Sequence, residues 1–81
     1  MSLPSSTEGR EADESKKERE LQALFHRLNN QLGIVLANAE LLEAKAADAS
    51  HRNRAAQIVA STLASMAIVR ELRQRSFPAD E

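Results

Sequence analysis

The stretch Leu21-Gln22-Ala23-Leu24-Phe25-His26-Arg27-Leu28-Asn29-Asn30-Gln31-Leu32-Gly33-Ile34-Val35-Leu36-Ala37-Asn38-Ala39-Glu40-Leu41-Leu42 decides the fold. Leu21, Phe25, Leu28, Leu32, Val35, Ala39 and Leu42, followed by Ala46, alternate spacings of four and three. That is the heptad seam of a helix packed against another helix. Leu24, Ile34, Leu36 and Leu41 widen the apolar stripe. A two-stranded coil needs only the narrow seam, whereas a wide face suits a helix with two neighbours, as in a four-helix bundle.

A second helical pattern follows in Ala55, Ile58, Val59, Thr62, Leu63, Met66, Val69 and Leu72. Between Ala44 and Arg54 the pattern falters, and Asp48 and Ser50 are candidate caps for the second helix. Pro78 closes that helix and biases Phe77 out of the helical region. No strand pattern and no internal repeat is present. The spacing predicts an all-α fold, an antiparallel hairpin of two helices of roughly 25–35 residues joined by a short turn. One hairpin cannot cover two wide apolar faces, but two copies closing about a dyad can, which predicts a homodimeric four-helix bundle. No Gly or Pro marks the break near Asp48, so a single unbroken rod in an extended coiled coil is the rival.

Residues 1–12 have tail composition and are expected to be disordered or frayed. Ser15-Lys16-Lys17-Glu18 fits a capping box, although charged helical turns from about Glu11 are equally compatible. The domain is therefore expected over residues 13–76, with a C-terminal tail over 77–81.

At 81 residues the chain is one domain at most. A monomer of this length buries little apolar surface. The absence of Cys removes disulfides and thiolate metal sites as sources of stability, which again favours association. A net charge of −1 gives no case for nucleic-acid or anionic-membrane binding. The sequence shows no uninterrupted apolar run of bilayer length and no leader-like apolar block. The expectation is a cytoplasmic protein with neither nucleic acid nor membrane as partner.

His26 is the candidate for chemistry. Each helical residue advances about 100° around the axis, so with Phe25 and Leu28 in the seam, His26 and Asn30 fall on the outer side together. Their i,i+4 spacing stacks the two side chains with Cβ atoms about 6 Å apart. An exposed imidazole is a nucleophile with a charge change close to neutral pH. The usual aid is a carboxylate on the other ring nitrogen. The next residue is instead Arg27, which is no base but offers a guanidinium to phosphate oxygens. Asn30 could orient a water for attack on a phosphorylated partner. On residue type alone the signal is weak, since a lone histidine on a polar helix face is structural or neutral in most cases.

The stretch from Phe25 to Leu42 resembles the H-box of sensor histidine kinases. It is similar to the subgroup reading H-D-x-N-N-x-L, then a small residue, an aliphatic run and N-A-E-L-L. Residues 52–75 resemble the second helix of the same dimerisation and phosphoacceptor domain, so the likeness covers about two thirds of the chain; the first-helix match is the specific one. The resemblance implies that His26 is the phosphorylated histidine and that Asn30 assists phosphatase activity toward a response regulator. It places Gly33 beside the docking surface for the receiver domain. It also implies a hairpin that dimerises into a four-helix bundle. No cofactor belongs to this chain; Mg²⁺ would sit on the partner receiver domain.

Two departures from the family pattern matter. Arg27 stands where the family has Asp or Glu, the acid that activates the histidine, which bears on autokinase chemistry. The 81 residues also hold no Gly-rich lid or nucleotide-binding Asn box, so ATP binding in the family's manner is not expected of them. The phosphoryl group would come from a separate histidine kinase, or from a receiver domain, or the stretch is an excerpt of a longer kinase. Two functions follow as expectations. One is His-Asp phosphotransfer with, or dephosphorylation of, a receiver domain. The other is a dimeric scaffold or competitor that binds a receiver or a kinase without chemistry, a reading that Arg27 favours.

The remaining features have plainer readings. His51 is expected to be a solvated turn residue, too far from His26 along the rod to share a metal. Arg70, Arg73 and Arg75 crowd the end of the second helix, where complementing its dipole is the preferred reading over a phosphate or nucleic-acid site. Met66 at seam spacing is core filler.

Overall fold

A computed structural model describes residues 4–77, with side chains described over 11–77. Two helices account for nearly all of it, α1 from Pro4–Lys45 and α2 from Ala49–Ser76. They pack against each other as a hairpin, and no strand occurs among the described residues. The unbroken-rod alternative is excluded by the reversal at Ala46–Asp48.

The turn works without glycine and without a positive φ. Asp48 adopts an extended backbone (φ −128°, ψ 165°) and caps α2 as the sequence suggests. Its Oδ1 accepts the His51 amide at 2.8 Å, and its Oδ2 lies 2.8 Å from His51 Nδ1. A carboxylate here satisfies a free first-turn amide and complements the positive end of the helix dipole. Arg52 reaches back to donate to the Ala46 carbonyl at 3.2 Å, tying the two sides of the turn together. His51 is thus a partner of the cap, not a bystander.

Ser15 does not start a helix. The backbone is helical from Pro4, and every residue from Glu11 to Glu20 is exposed. Proline suits a first helical position, where its missing N–H is no loss. The following residues are largely good helix formers with opposite charges four apart, such as Asp13 with Lys17 and Lys16 with Glu20. At the other end, Phe77 donates its amide to the Arg73 carbonyl at 2.9 Å and leaves the helix. Its ring packs edge-on against Phe25, centroids 6.1 Å apart at 81°. Phe77 therefore joins the packed hairpin; Pro78 and the rest of the expected tail lie outside the described residues.

The seam between the helices is narrow. Phe25 (8% exposed), Ala39 (2%), Ala55 (4%) and Thr62 (5%) are its buried residues. Leu32, Leu36 and Ala46 from α1 and Val59, Met66 and Val69 from α2 are half-buried along it. Small residues at Ala39 and Ala55 let the backbones come close. The expected seam is thus correct for Phe25, Leu32, Ala39 and Ala46. It is displaced for the other lane: Leu21, Leu28, Val35 and Leu42 are exposed, and Leu36 and Glu43 take their place toward α2. The displacement is about 100° of helix rotation, one step around the axis.

Several of the uncovered apolar residues share one flank, while Ile34 and Leu41 of α1 and Leu63 of α2 are exposed elsewhere. Leu24 and Leu28 line one shallow depression on α1. Leu42, Ala46, Ala55 and Ile58 line a cleft of about 360 Å³ beside the turn. Leu72 lies two heptads beyond Ile58 and shares its lane. Since the helices run antiparallel, residues that precede the seam lane on each helix come out on the same side of the hairpin. An 18-residue window of α2 reaches a mean hydropathy of 1.2, enough by length and composition to cross a membrane. Part of that apolar content is used in the seam against α1.

Candidate functional site

The buried Phe25 fixes the rotation of α1, and with it the direction of His26. One residue past Phe25, His26 turns about 100° away from the seam, to the flank opposite Leu28. It is exposed there, as expected. It lines a groove of about 210 Å³ between the helices, with Gln22, Phe25 and Asn29 from α1 and Met66, Val69, Arg70 and Arg73 from α2. Phe25, Met66 and Val69 form the floor, and the polar side chains form the walls. None of the hydrogen bonds or ion pairs among the described residues engages the His26 ring.

The predicted companions of His26 separate. Asn30 is exposed one turn on, at the i,i+4 spacing, but the amide that lines the groove is that of Asn29. Arg27 is not in the groove. It lines the depression with Leu24, Leu28 and Gln31, on the far side of α1. The arginines that line the groove with His26 come from α2 instead, Arg70 and Arg73. Their end-of-helix position explained them as complements to the dipole, and only the register of the hairpin brings them to His26. That register is recoverable by counting equal distances from Ala47 at the turn, which places His26 level with about Ile68.

The electrostatics of the groove are one-sided. Two arginines line it and no carboxylate does. A second depression of about 230 Å³ continues it past Gln22, Arg70, Arg73, Gln74 and Phe77, also without a carboxylate. Gly33, seven residues past His26, lies on the same flank, half-buried, with open space where a Cβ would stand. No cluster of three or more metal-ligating side chains occurs among the described residues.

What this arrangement offers is an exposed imidazole in a groove that two arginines of α2 also line. Compared with protein-family models, curated proteins and solved structures, the chain matches none of them.

Proposed function

We propose that this hairpin is a phosphoacceptor module of a two-component system, a homodimeric four-helix bundle that carries the phosphoryl group on His26. The observation that carries the reading is the division of the hairpin into two flanks. Leu28, Val35, Leu42 and Ile58 stand uncovered on one, and His26 stands in an open groove on the other. Exposed apolar side chains grouped on one face favour association. Pairing two hairpins through it buries that face and turns both His26 side chains outward.

In the proposed reaction a receiver domain docks along the flank of His26 and Gly33. A ring nitrogen of His26 attacks the phosphorus of the receiver's aspartyl phosphate. The P–N bond forms, the P–O bond breaks, and the aspartate leaves as carboxylate. The reverse transfer loads the receiver. For dephosphorylation, Asn30 orients a water that attacks the same phosphorus, giving inorganic phosphate and free aspartate. The Mg²⁺ of such a reaction belongs to the receiver, and a separate histidine kinase is the outside source of phosphate. The module would act in the cytoplasm.

The scaffold reading keeps the same dimer and docking flank without phosphoryl chemistry. Arg27, in the place of the family's acid, is the observation that favours it. Replacement His26→Ala separates the two. Phosphotransfer predicts that the variant still binds a receiver but neither accepts nor passes phosphate; retention of full signalling activity by His26→Ala would establish the scaffold.

A further inference from the structure

We propose that Arg70 and Arg73 form an oxyanion site that holds the phosphoryl group at His26. The identity of the anion as a phosphoryl group rests on the phosphoacceptor reading, whereas the anion site itself stands on the groove. Arg70 and Arg73 both line the 210 Å³ groove with His26, and both line the depression that continues it. Neither forms an ion pair among the described residues, and no carboxylate lines either depression. Arg75 differs. Its Nη2 donates to Glu71 Oε2 at 2.9 Å, so its charge is already answered.

A helix-dipole role fits Arg73 and Arg75, which stand in the last turn, but not Arg70, and it does not separate Arg73 from Arg75. The groove does. Arg70 and Arg73, three residues apart, lie on one face of α2 and line the groove together with His26. A guanidinium binds two oxygens of a tetrahedral oxyanion at once, in a planar geometry that an ammonium cannot copy. Phosphoryl transfer spreads negative charge over three equatorial oxygens in the transition state, and fixed cations stabilise that charge. Here they would act on the phosphoryl group itself, a different device from a carboxylate that activates the imidazole. With Arg27 on the other side of α1, Arg70 and Arg73 are the cations within the groove.

The test uses the full chain and two probes. Inorganic phosphate is titrated while the His26 ring and the arginine Nε–H resonances are followed by NMR. Phosphoramidate then serves as phosphoryl donor: the His26 nitrogen attacks its phosphorus, the donor's P–N bond breaks and ammonia leaves. Wild type and Arg75→Gln are expected to show saturable phosphate binding at the groove. In the double variant R70Q/R73Q affinity and the rate of phosphohistidine formation fall about tenfold or more, the scale of losing a charged hydrogen bond. R70K/R73K keeps the charge and the fold, and is expected to fall between the two. Equal binding and equal rates in wild type and both double variants, or no saturable binding in wild type, would overturn the site. Phosphate binding that depends on the arginines without any phosphohistidine would leave the anion site standing and refute the phosphoacceptor reading of His26.

Discussion

His26 of α1 and Arg70 of α2 line one groove, although Arg27 stands next to His26 in sequence and faces the opposite flank. The proposed chemistry at this site therefore draws on both helices of the hairpin. The variant Arg27→Ala is expected to change phosphate acceptance by His26 less than about twofold, because its side chain lies outside the groove. A phosphoramidate time course on this variant checks it, and a loss as large as that of R70Q/R73Q would restore Arg27 to the site.

The proposed dimer pairs through the other flank. Leu28 is 44% exposed and Leu42 60% exposed in the single hairpin. The double replacement Leu28→Asp/Leu42→Asp puts two carboxylates in the face proposed to pair, while leaving the buried seam untouched. Sedimentation equilibrium should give a dimer for wild type and a monomer for the variant. A wild-type monomer at all accessible concentrations would remove the bundle from the account.

The seam is anchored at its open end by Phe25 and Phe77, in edge-to-face contact. Phe25→Ala deletes the largest buried side chain and should cost about 3 kcal/mol in denaturant unfolding. Phe77→Ala should cost about 1 kcal/mol, since Phe77 is only half-buried and an aromatic pair adds modestly to its area. Equal costs would mean that the α2 terminus is packed more firmly than the contact suggests.

How much of this was legible in the sequence differs from residue to residue. Phe25, Leu32, Ala39 and Ala46 could be read as seam because one heptad lane recurs without interruption. Leu28, Val35 and Leu42 satisfy the same periodicity yet stay open within one chain. Hydrophobic spacing records that a face is covered, not whether the cover comes from the same chain. The Asp48 cap was readable because capping is local, one carboxylate and an amide three residues on. The Ser15 box matched the same local rule and starts no helix, since good helix formers lie on both sides of it. The dipole reading of Arg70 and Arg73 left out His26, because their sharing a groove with it depends on the register of two helices and not on any spacing within one.

Gly33 offers a test that separates folding from docking. Nothing lies within 4 Å of the position a Cβ would take. Gly33→Ala should therefore stabilise the helix by about 0.5–1 kcal/mol in thermal or denaturant unfolding, since glycine carries that penalty in a helix interior. Gly33→Tyr should fold as well, yet slow transfer from a receiver several-fold by obstructing the flank. Unchanged transfer in Gly33→Tyr would move the docking surface elsewhere.

The turn confers an acid-side pH dependence. The His51 amide, then the His51 side chain, hold the Asp48 carboxyl below its ordinary value of 3.8. The folded state therefore binds fewer protons than the unfolded state as pH falls through this range. The cap's contribution is complete above about pH 3.8 and is lost as pH drops through the lower folded value. Melting temperature followed from pH 7 to pH 2 should show this loss in wild type. Asp48→Ala should lower the melting temperature at neutral pH and flatten the acid limb; parallel curves would assign the acid sensitivity to other carboxylates.

The most direct measurement of the central claim is incubation of the full chain with a broad panel of phosphorylated receiver domains, with the phosphoryl group located by mass spectrometry and receiver dephosphorylation timed alongside. The account predicts phosphate on His26, accelerated loss from at least one receiver, and neither in His26→Ala. An unmodified His26 with unaltered receiver lifetimes across the whole panel would contradict it.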